Sequence, residues 1–497
     1  MHFIKKALNS YKNLSVQVKA SLWFVVCNIL QKGISLITVP IFTRMMTSEQ
    51  YGYFSTYVSW YNVLLVFTSL SLYYGVFNNA MMRFKDDRPR FISSIQGLIV
   101  VLTSFVFILY LCIREPANRF LELKTPMVLM LFAELLVTPA LQFWSAHHRY
   151  EFKYHQIVAV TIAKSVLNPL LGIILVHFSE DKTLARISSV VIVEVCFCSI
   201  IAIMQFIRGK AFFDKKYWKY ALLFNLPLIP HYLSGQILNQ SDRIMIGKLI
   251  DQSSVAKYSV AYNIGLLMNI LTNAINGSYT PWFYQKFAKN GVRDIRRIST
   301  AIMLMMASFV TILMFFGPEL LRIIAPAEYW DARYVIPTVA ASVFFTFMYN
   351  IFANFEFYYE KNQYVMVGSV IAALTNIGLN FVFIPLFGYI AASYTTLTCY
   401  IIYCGMHFFF AMYLCRKNQI SSEIINKKLF LITSAAVVCI AILMNFIYLN
   451  SIVRYSMIAA IVLTILFKFS AIKNLIFSIL GEMKSKSKKK TAETQDA

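Results

Sequence analysis

Long apolar runs separated by short polar ones set the pattern of this chain. A helix needs about 20 mostly apolar residues to cross a bilayer. Fourteen runs meet that length, near 20–43, 53–82, 91–113, 126–146, 155–178, 187–207, 220–241, 254–282, 298–325, 334–355, 364–385, 389–415, 429–449 and 452–471. Pro40, Pro169, Pro227, Pro230, Pro281 and Pro385 are expected to split some of them, which membrane helices tolerate. Phe387-Gly388-Tyr389 marks a turn between the eleventh and twelfth runs, and Leu449-Asn450-Ser451 separates the last two. The pattern predicts an all-α polytopic membrane protein of about fourteen transmembrane helices. Ahead of the first run, residues 1–19 place Phe3, Ala7, Tyr11, Leu14 and Val18 on one helical face, with Lys5, Lys6, Lys12 and Lys19 elsewhere. That is a helix suited to the membrane surface. Residues 476–497 read as a disordered basic tail, and the gaps between runs leave no room for a separate soluble domain.

Composition narrows the function classes. Hydrophobic residues make up 58% of the 497 and charged residues 14%, where soluble chains carry about 25% charged. A soluble enzyme is excluded. The 46 Lys and Arg outnumber the 23 Asp and Glu, but they are scattered between apolar runs, which argues against nucleic acid. Starting the chain in the cytoplasm puts 32 of them in cytoplasmic segments and 12 in outer loops, with Lys32 and Lys164 inside runs. The positive-inside rule then predicts a protein of the cytoplasmic membrane with both termini in the cytoplasm. The eight cysteines sit in or at the ends of apolar runs, and the seven histidines lack zinc-motif spacing. No disulfide framework, metal or cofactor is expected, and the chain is expected to be a monomer.

Polar positions inside the runs carry the candidate chemistry. A charge at mid-membrane costs about 2.5–3.5 kcal/mol on insertion scales, so it should face water or a partner. Asn28, Gln31, Lys32 and Ser35 form one stripe on the first run, and Thr161, Lys164, Ser165 and Asn168 repeat it on the fifth. Glu134 and Thr138 share a face of the fourth run, and Glu194 stands alone on the sixth. The seventh carries Gln236, Asn239, Gln240 and Arg243, with Asp242 adjacent; the eighth lines up Tyr262, Asn269, Asn273 and Asn276. Such amides also join membrane helices at about 0.6 kcal/mol per bond, so helix packing and substrate contact both stay open for them. Glu134 and Glu194 are equally open to being structural partners of Lys164 and Lys32. Arg243 and Lys248 are near a run end, where snorkelling is expected.

The stretches at 43–60 and 247–264 register with an offset of 204, matching Arg44 with Lys248, Phe54 with Tyr258 and Ser55 with Ser259. A parallel repeat of two six-helix halves is a standard transporter plan. The segments GISLITVPIFTRMMTSEQYGYFS at 33–55 and SDRIMIGKLIDQSSVAKYSVAYNIG at 241–265 resemble the two recurring segments of bacterial Wzx-type polysaccharide flippases. These belong to the multidrug/oligosaccharidyl-lipid/polysaccharide superfamily. The resemblance implies two six-helix lobes (20–210 and 211–416) around a central cavity, two C-terminal helices (417–475), and alternating access. It implies a substrate of undecaprenyl-pyrophosphate-linked oligosaccharide repeat units, with polysaccharide polymerase and glycosyltransferases as partners. Lys32 would then meet the pyrophosphate, helped by Arg44 or Arg243. Lys164, Asn28, Gln31, Asn168, Asn239, Tyr262, Asn269, Asn273 and Asn276 would line the cavity. Glu134, Glu194 and Asp242 are the carboxylates open to a coupling proton or sodium ion. A multidrug exporter, a peptidoglycan-precursor flippase and a membrane polysaccharide polymerase are the alternatives. Lys32, where exporters of the superfamily usually carry a carboxylate, weighs against the first. The lack of a large outer loop weighs against the last.

Overall fold

A computed structural model describes residues 16–467. The basic tail, and all but the last residues of the expected surface helix, lie outside the described residues. Those described are helical throughout, with no strand. In chain order the helices are α1 (Val16–Met45), α2 (Ser48–Ser69), α3 (Gly75–Arg83), α4 (Arg88–Cys112), α5 (Arg114–Leu121) and α6 (Thr125–Tyr150). Then come α7 (Tyr154–Phe178), α8 (Lys182–Gly209), α9 (Lys215–Asn225), α10 (Ile229–Leu249), α11 (Gln252–Gly265) and α12 (Met268–Phe287). The rest are α13 (Val292–Ile324), α14 (Val335–Tyr358), α15 (Asn362–Phe387), α16 (Ala391–Lys417), α17 (Lys427–Ile447) and α18 (Ser451–Phe467).

Nine stretches of the described chain are helical, long and apolar enough to cross a membrane. The remaining runs of the expected fourteen fall on α1, on α18, and on three pairs of shorter helices. Pro227 breaks the seventh run between α9 and α10 as anticipated, since proline has no N–H to continue the ladder. The other two breaks differ from expectation. The second run stops at Leu70 and Ser71, both at positive φ (48° and 51°) with no proline or glycine between them. The Asn225 side chain donates to the Leu70 carbonyl and helps hold this conformation, which costs a non-glycine residue about 1–2 kcal/mol. The eighth run breaks between Gly265 and Met268, and helix α12 continues through Pro281.

The 204-residue offset governs helix boundaries. α1 ends at Met45 and α10 at Leu249; α2 begins at Ser48 and α11 at Gln252; α4 begins at Arg88 and α13 at Val292. The N-caps correspond too. Thr47 accepts from the Gln50 amide while the Gln50 side chain accepts from the Thr47 amide, a capping box. Asp251 accepts from the Ser254 amide at 2.7 Å. In each copy the second helix after the shared turn belongs to a broken pair.

The chain divides into two compact units. One comprises the described residues up to Ala261 with Leu321–Ala332 and Ser369–Cys399; the other holds Tyr262–Leu320, Arg333–Gly368 and the described residues from Tyr400. In the first unit, the turns after α1, α5, α7 and α10 meet at one end. Lys182 donates to the Met45 carbonyl, Lys124 pairs with Asp181, and Gln252 donates to Glu122. The turns after α3, α6 and α8 meet at the other end, where Arg90 pairs with Asp214, Tyr217 donates to Asp87, and Arg88 lies over Tyr150. Successive crossings of this unit therefore alternate in direction. The core between the two ends is aromatic and aliphatic, built on Phe77, Phe91 and Phe143 near one end and Tyr57, Leu131 and Ile187 near the other. In the second unit, Phe283, Phe287, Phe355 and Tyr358 stack between α12 and α14, and Arg454 ties α18 to Glu319 on α13.

Candidate functional site

The first unit holds two carboxylates and one lysine among α2, α6, α7 and α8, Glu134 buried and Lys164 and Glu194 half-buried. Lys164 Nζ meets Glu194 Oε2 at 2.6 Å, and the Cys198 thiol donates to the same oxygen at 3.5 Å. Glu134, buried, accepts from the Tyr57 hydroxyl at 2.8 Å. Of the structural pairings left open between Glu134 or Glu194 and Lys164 or Lys32, the structure forms Lys164 with Glu194, while a tyrosine serves Glu134. Lys32 and Gln31 are exposed on α1, and no described residue bonds to Lys32. The Asn28 side chain lies outside the described residues. Asn168 accepts from Arg186 at 2.8 Å.

The most fully bonded group is Asp242 on α10, 2% exposed. Its Oδ2 accepts from Thr396 at 2.6 Å and Tyr258 at 2.5 Å; its Oδ1 accepts from Asn380 at 2.7 Å and Asn376 at 3.3 Å. Ser241 donates to Asn376 and Thr395 to Asn380, closing a buried network over α10, α11, α15 and α16. The chemistry is a carboxylate ringed by hydroxyl and amide donors, the amide oxygens of Asn376 and Asn380 being taken by Ser241 and Thr395. Asn376, Asn380 and Thr396 were missed in the sequence. Asn376 and Asn380 are four apart and so share a face of α15, which was the available signal.

Arg243, expected to snorkel, is instead buried. It donates to the Asn239 carbonyl at 2.8 Å and to Ser259 at 3.1 Å. The sequence reading fails here because Arg243 lies two turns short of the end of α10. Arg44, expected at the substrate, donates to the carbonyls of Pro40, Ile323 and Ile324. Two of these are terminal carbonyls of α13, an ordinary place for a cation. Asn239 is exposed and bonds its own helix. In the second unit the expected stripe of Tyr262, Asn269, Asn273 and Asn276 is not continuous. Tyr262 is buried on α11, while the three Asn residues follow the break, Asn273 exposed and Asn269 and Asn276 half-buried. A carboxylate outside the expected set is also buried there: Glu356 meets His407 Nδ1 at 2.7 Å, both side chains fully enclosed.

A cavity of about 1490 Å³ opens at the end of the first unit where the α1, α5, α7 and α10 turns meet. Glu49, Glu122, Glu180, Asp181 and Asp251 line it against Arg119 and Lys124. Burial raises the Glu122 carboxyl, while Lys248 and the Gln252 amide pull it back down.

Comparison with known proteins places this geometry. The family model described as "Polysaccharide biosynthesis protein" matches residues 18–287, and the MatE model matches 227–382. A Lsg locus protein of Haemophilus influenzae is 22% identical over 373 residues, covering 72% of this chain and 88% of its own. The lipid II flippase MurJ in an inward closed conformation shares the fold with a TM-score of 0.65 at 15% identity, over 91% of this chain and all of that one. An inward-facing multidrug resistance MATE transporter gives 0.59 at 13% identity, over 82% and 99%. Helical crossings in alternating directions and a 204-residue repeat go with the fold of these solved structures. The match at 18–287 spans more than half of the 497 residues, and the chain belongs to the polysaccharide biosynthesis protein family.

Proposed function

We propose that this protein is a flippase. It carries undecaprenyl-pyrophosphate-linked oligosaccharide units across the cytoplasmic membrane for polysaccharide assembly, with 20–210 and 211–416 as its two lobes in alternating access. The family match over 18–287 carries the reading. The exposed Lys32 on α1, which bonds to no described residue, supports it, because a cation draws a pyrophosphate and repels a cationic drug. The exposed amides of Asn239 and Asn273 supply donors and acceptors for sugar hydroxyls. Asp242 and its shell are the candidate site for a coupling proton or sodium ion, and Glu134 with Glu194 the candidate in the first half. Polysaccharide polymerase and glycosyltransferases would act beside it, with both termini in the cytoplasm.

A second reading, cation or drug export, has its own support: the MatE model covers 227–382, the segment that holds Asp242, Asn376 and Asn380. A deletion strain separates the two. The flippase reading expects surface polysaccharide to vanish and lipid-linked units to accumulate, with sensitivity to cationic dyes unchanged. Normal polysaccharide with raised dye sensitivity would establish the exporter instead. Lys32→Ala should reach the membrane normally and fail to restore polysaccharide.

A further inference from the structure

The two turns related by the 204-residue offset touch each other in the first unit. Gly52, in the second turn of α2, lies against the backbone of Gln252, the first residue of α11. A Cβ at position 52 would come to 1.8 Å from the Gln252 carbonyl oxygen, so this approach needs glycine. Ser253 donates to Ser48 at 2.8 Å in the same contact. The Gln252 side chain is buried between the turns. Its Oε1 accepts from Thr56 on α2 at 2.7 Å, and its Nε2 donates to Glu122 Oε2 at 2.9 Å. A second glycine makes room for that last bond: a Cβ at Gly247 on α10 would lie 2.9 Å from both Gln252 Nε2 and Glu122 Oε2. Thr56, Gln252 and Glu122 thus form one chain of side chains, running from α2 across the start of α11 to the turn between α5 and α6.

A neutral amide at position 122 would serve this packing as well, so the carboxyl calls for a reason of its own. Glu122 is half-buried, and it lines the cavity of about 1490 Å³, which gives it a route to solvent protons. Around it stand Glu49 and Tyr53 on α2, Arg119 on α5, Lys124 before α6, Glu180 and Asp181 before α8, Lys248 on α10 and Asp251 before α11. The carboxylates of this wall outnumber its cations, and a net negative wall concentrates protons. Lost water around Glu122 works in the same direction, and burial raises its carboxyl although Lys248 and the Gln252 amide pull it back. A proton on Oε1 leaves the bond from Gln252 to Oε2 in place. Parting of the turns would return Glu122 to water and to the ordinary carboxylate range. By linkage, closure takes up a proton and parting releases it.

We propose that Thr56, Gln252 and Glu122 form a proton-responsive clasp, which holds the two copies of the turn together while Glu122 carries a proton and lets them part when it leaves. Resting on the flippase reading, the clasp closes the outer end of the substrate path. It holds at low pH and loosens as pH rises from the ordinary carboxylate range through the value in the closed clasp.

The test uses the purified full chain in detergent, with the native cysteines replaced and Ser48→Cys placing one thiol inside the closed contact. Its rate with a water-soluble maleimide is divided by that of the unfolded chain at the same pH, which removes the thiol's own titration. Protection should fall as pH rises from about 4.5 to about 8, by up to about tenfold per unit for one linked proton. Glu122→Gln in the same background should make protection independent of pH. Gln252→Met, which bonds neither neighbour, should lower protection several-fold at low pH, and it decides the matter where Glu122→Gln does not fold. Protection that ignores pH with Glu122 present, an unchanged slope in Glu122→Gln, or full protection in Gln252→Met overturns the proposal and leaves the flippase reading standing. A disulfide across Ser48→Cys/Ser253→Cys should stop export in the complemented deletion strain until it is reduced, and export by the cross-linked protein overturns the clasp as the outer closure. Normal polysaccharide in the deletion strain overturns the flippase reading, whereas the pH slope and its loss in Glu122→Gln support the clasp independently of the cargo.

Discussion

Lys164→Met breaks the Lys164–Glu194 pair and leaves a half-buried carboxylate with only the Cys198 thiol as a donor. The two side chains are 15% and 16% exposed, enclosed enough that losing one partner should cost about 3–5 kcal/mol. At about 2.1 cal/mol/K per residue, cooperative unfolding of a chain of 497 residues carries an entropy of about 1 kcal/mol/K. The melting temperature in detergent should therefore drop by about 3–5 °C. Glu194→Met should cost a similar amount by stranding the ammonium. Lys164→Met/Glu194→Met removes both charges, and well-packed apolar replacements of buried pairs are often neutral or stabilising, so the double variant should return to within about 1 °C of wild type. Complementation of a deletion strain then separates structure from transport. A double variant that is stable but does not export makes the pair part of the translocation cycle; one that exports fully makes it a structural pair. Single variants that cost less than about 1 kcal/mol, or singles that add without coupling, would refute the claim that this pair is enclosed.

Other outcomes follow from particular residues. Lys210 ends α8 at φ 50°, exposed, with its N–H bonded to the Phe206 carbonyl; Lys210→Gly should stabilise by about 1 kcal/mol, and a fall in melting temperature would count against that strain. Burial raises the Glu122 carboxyl, so the folded state keeps its proton to higher pH than the unfolded chain. Stability should decline as pH rises from the ordinary carboxylate range through the folded value. Glu122→Gln should flatten that slope in pH-dependent thermal melts, and an unchanged slope would remove Glu122 from it. Single cysteines at Glu180 and Lys215, in a background lacking the native thiols, should differ in labelling by an impermeant maleimide on intact cells. Position 180 is expected to react and 215 to be protected, and the reverse would invert the proposed topology.

The fold was legible in the sequence where the physics is local. Apolar runs gave helices because a bilayer demands satisfied backbone over about 20 residues, and the Thr47 and Asp251 turns gave the repeat because capping residues mark helix starts. The break at Leu70 was not legible, because it depends on a tertiary bond from Asn225, 155 residues away in sequence. The candidate site was legible only as residue types. Counting Lys and Arg by position placed Arg186 in a loop, whereas α8 begins at Lys182 and carries it into the packed interior. Stripes on single helices located Asp242 but not its shell, since Asn376, Asn380 and Thr396 are brought to it from other helices.

Interior cations were the sequence's main argument for an anionic substrate, and the structure divides them by use. Arg44 caps α13, Lys164 is taken by Glu194, Arg454 by Glu319, and Arg243 is bonded along its own helix and to Ser259. Lys32 is exposed with no bond to a described residue, and Arg186 is buried, donating to Asn168 and Ser189. Both lie within 18–287, where the polysaccharide model matches. The Asp242 carboxylate with its Asn376 and Asn380 shell lies within 227–382, where the MatE model matches. On the flippase reading, loss of Lys32 should impair substrate binding with cation dependence intact. Loss of Asp242 should do the converse, leaving isoprenyl pyrophosphate binding near wild type while export stops.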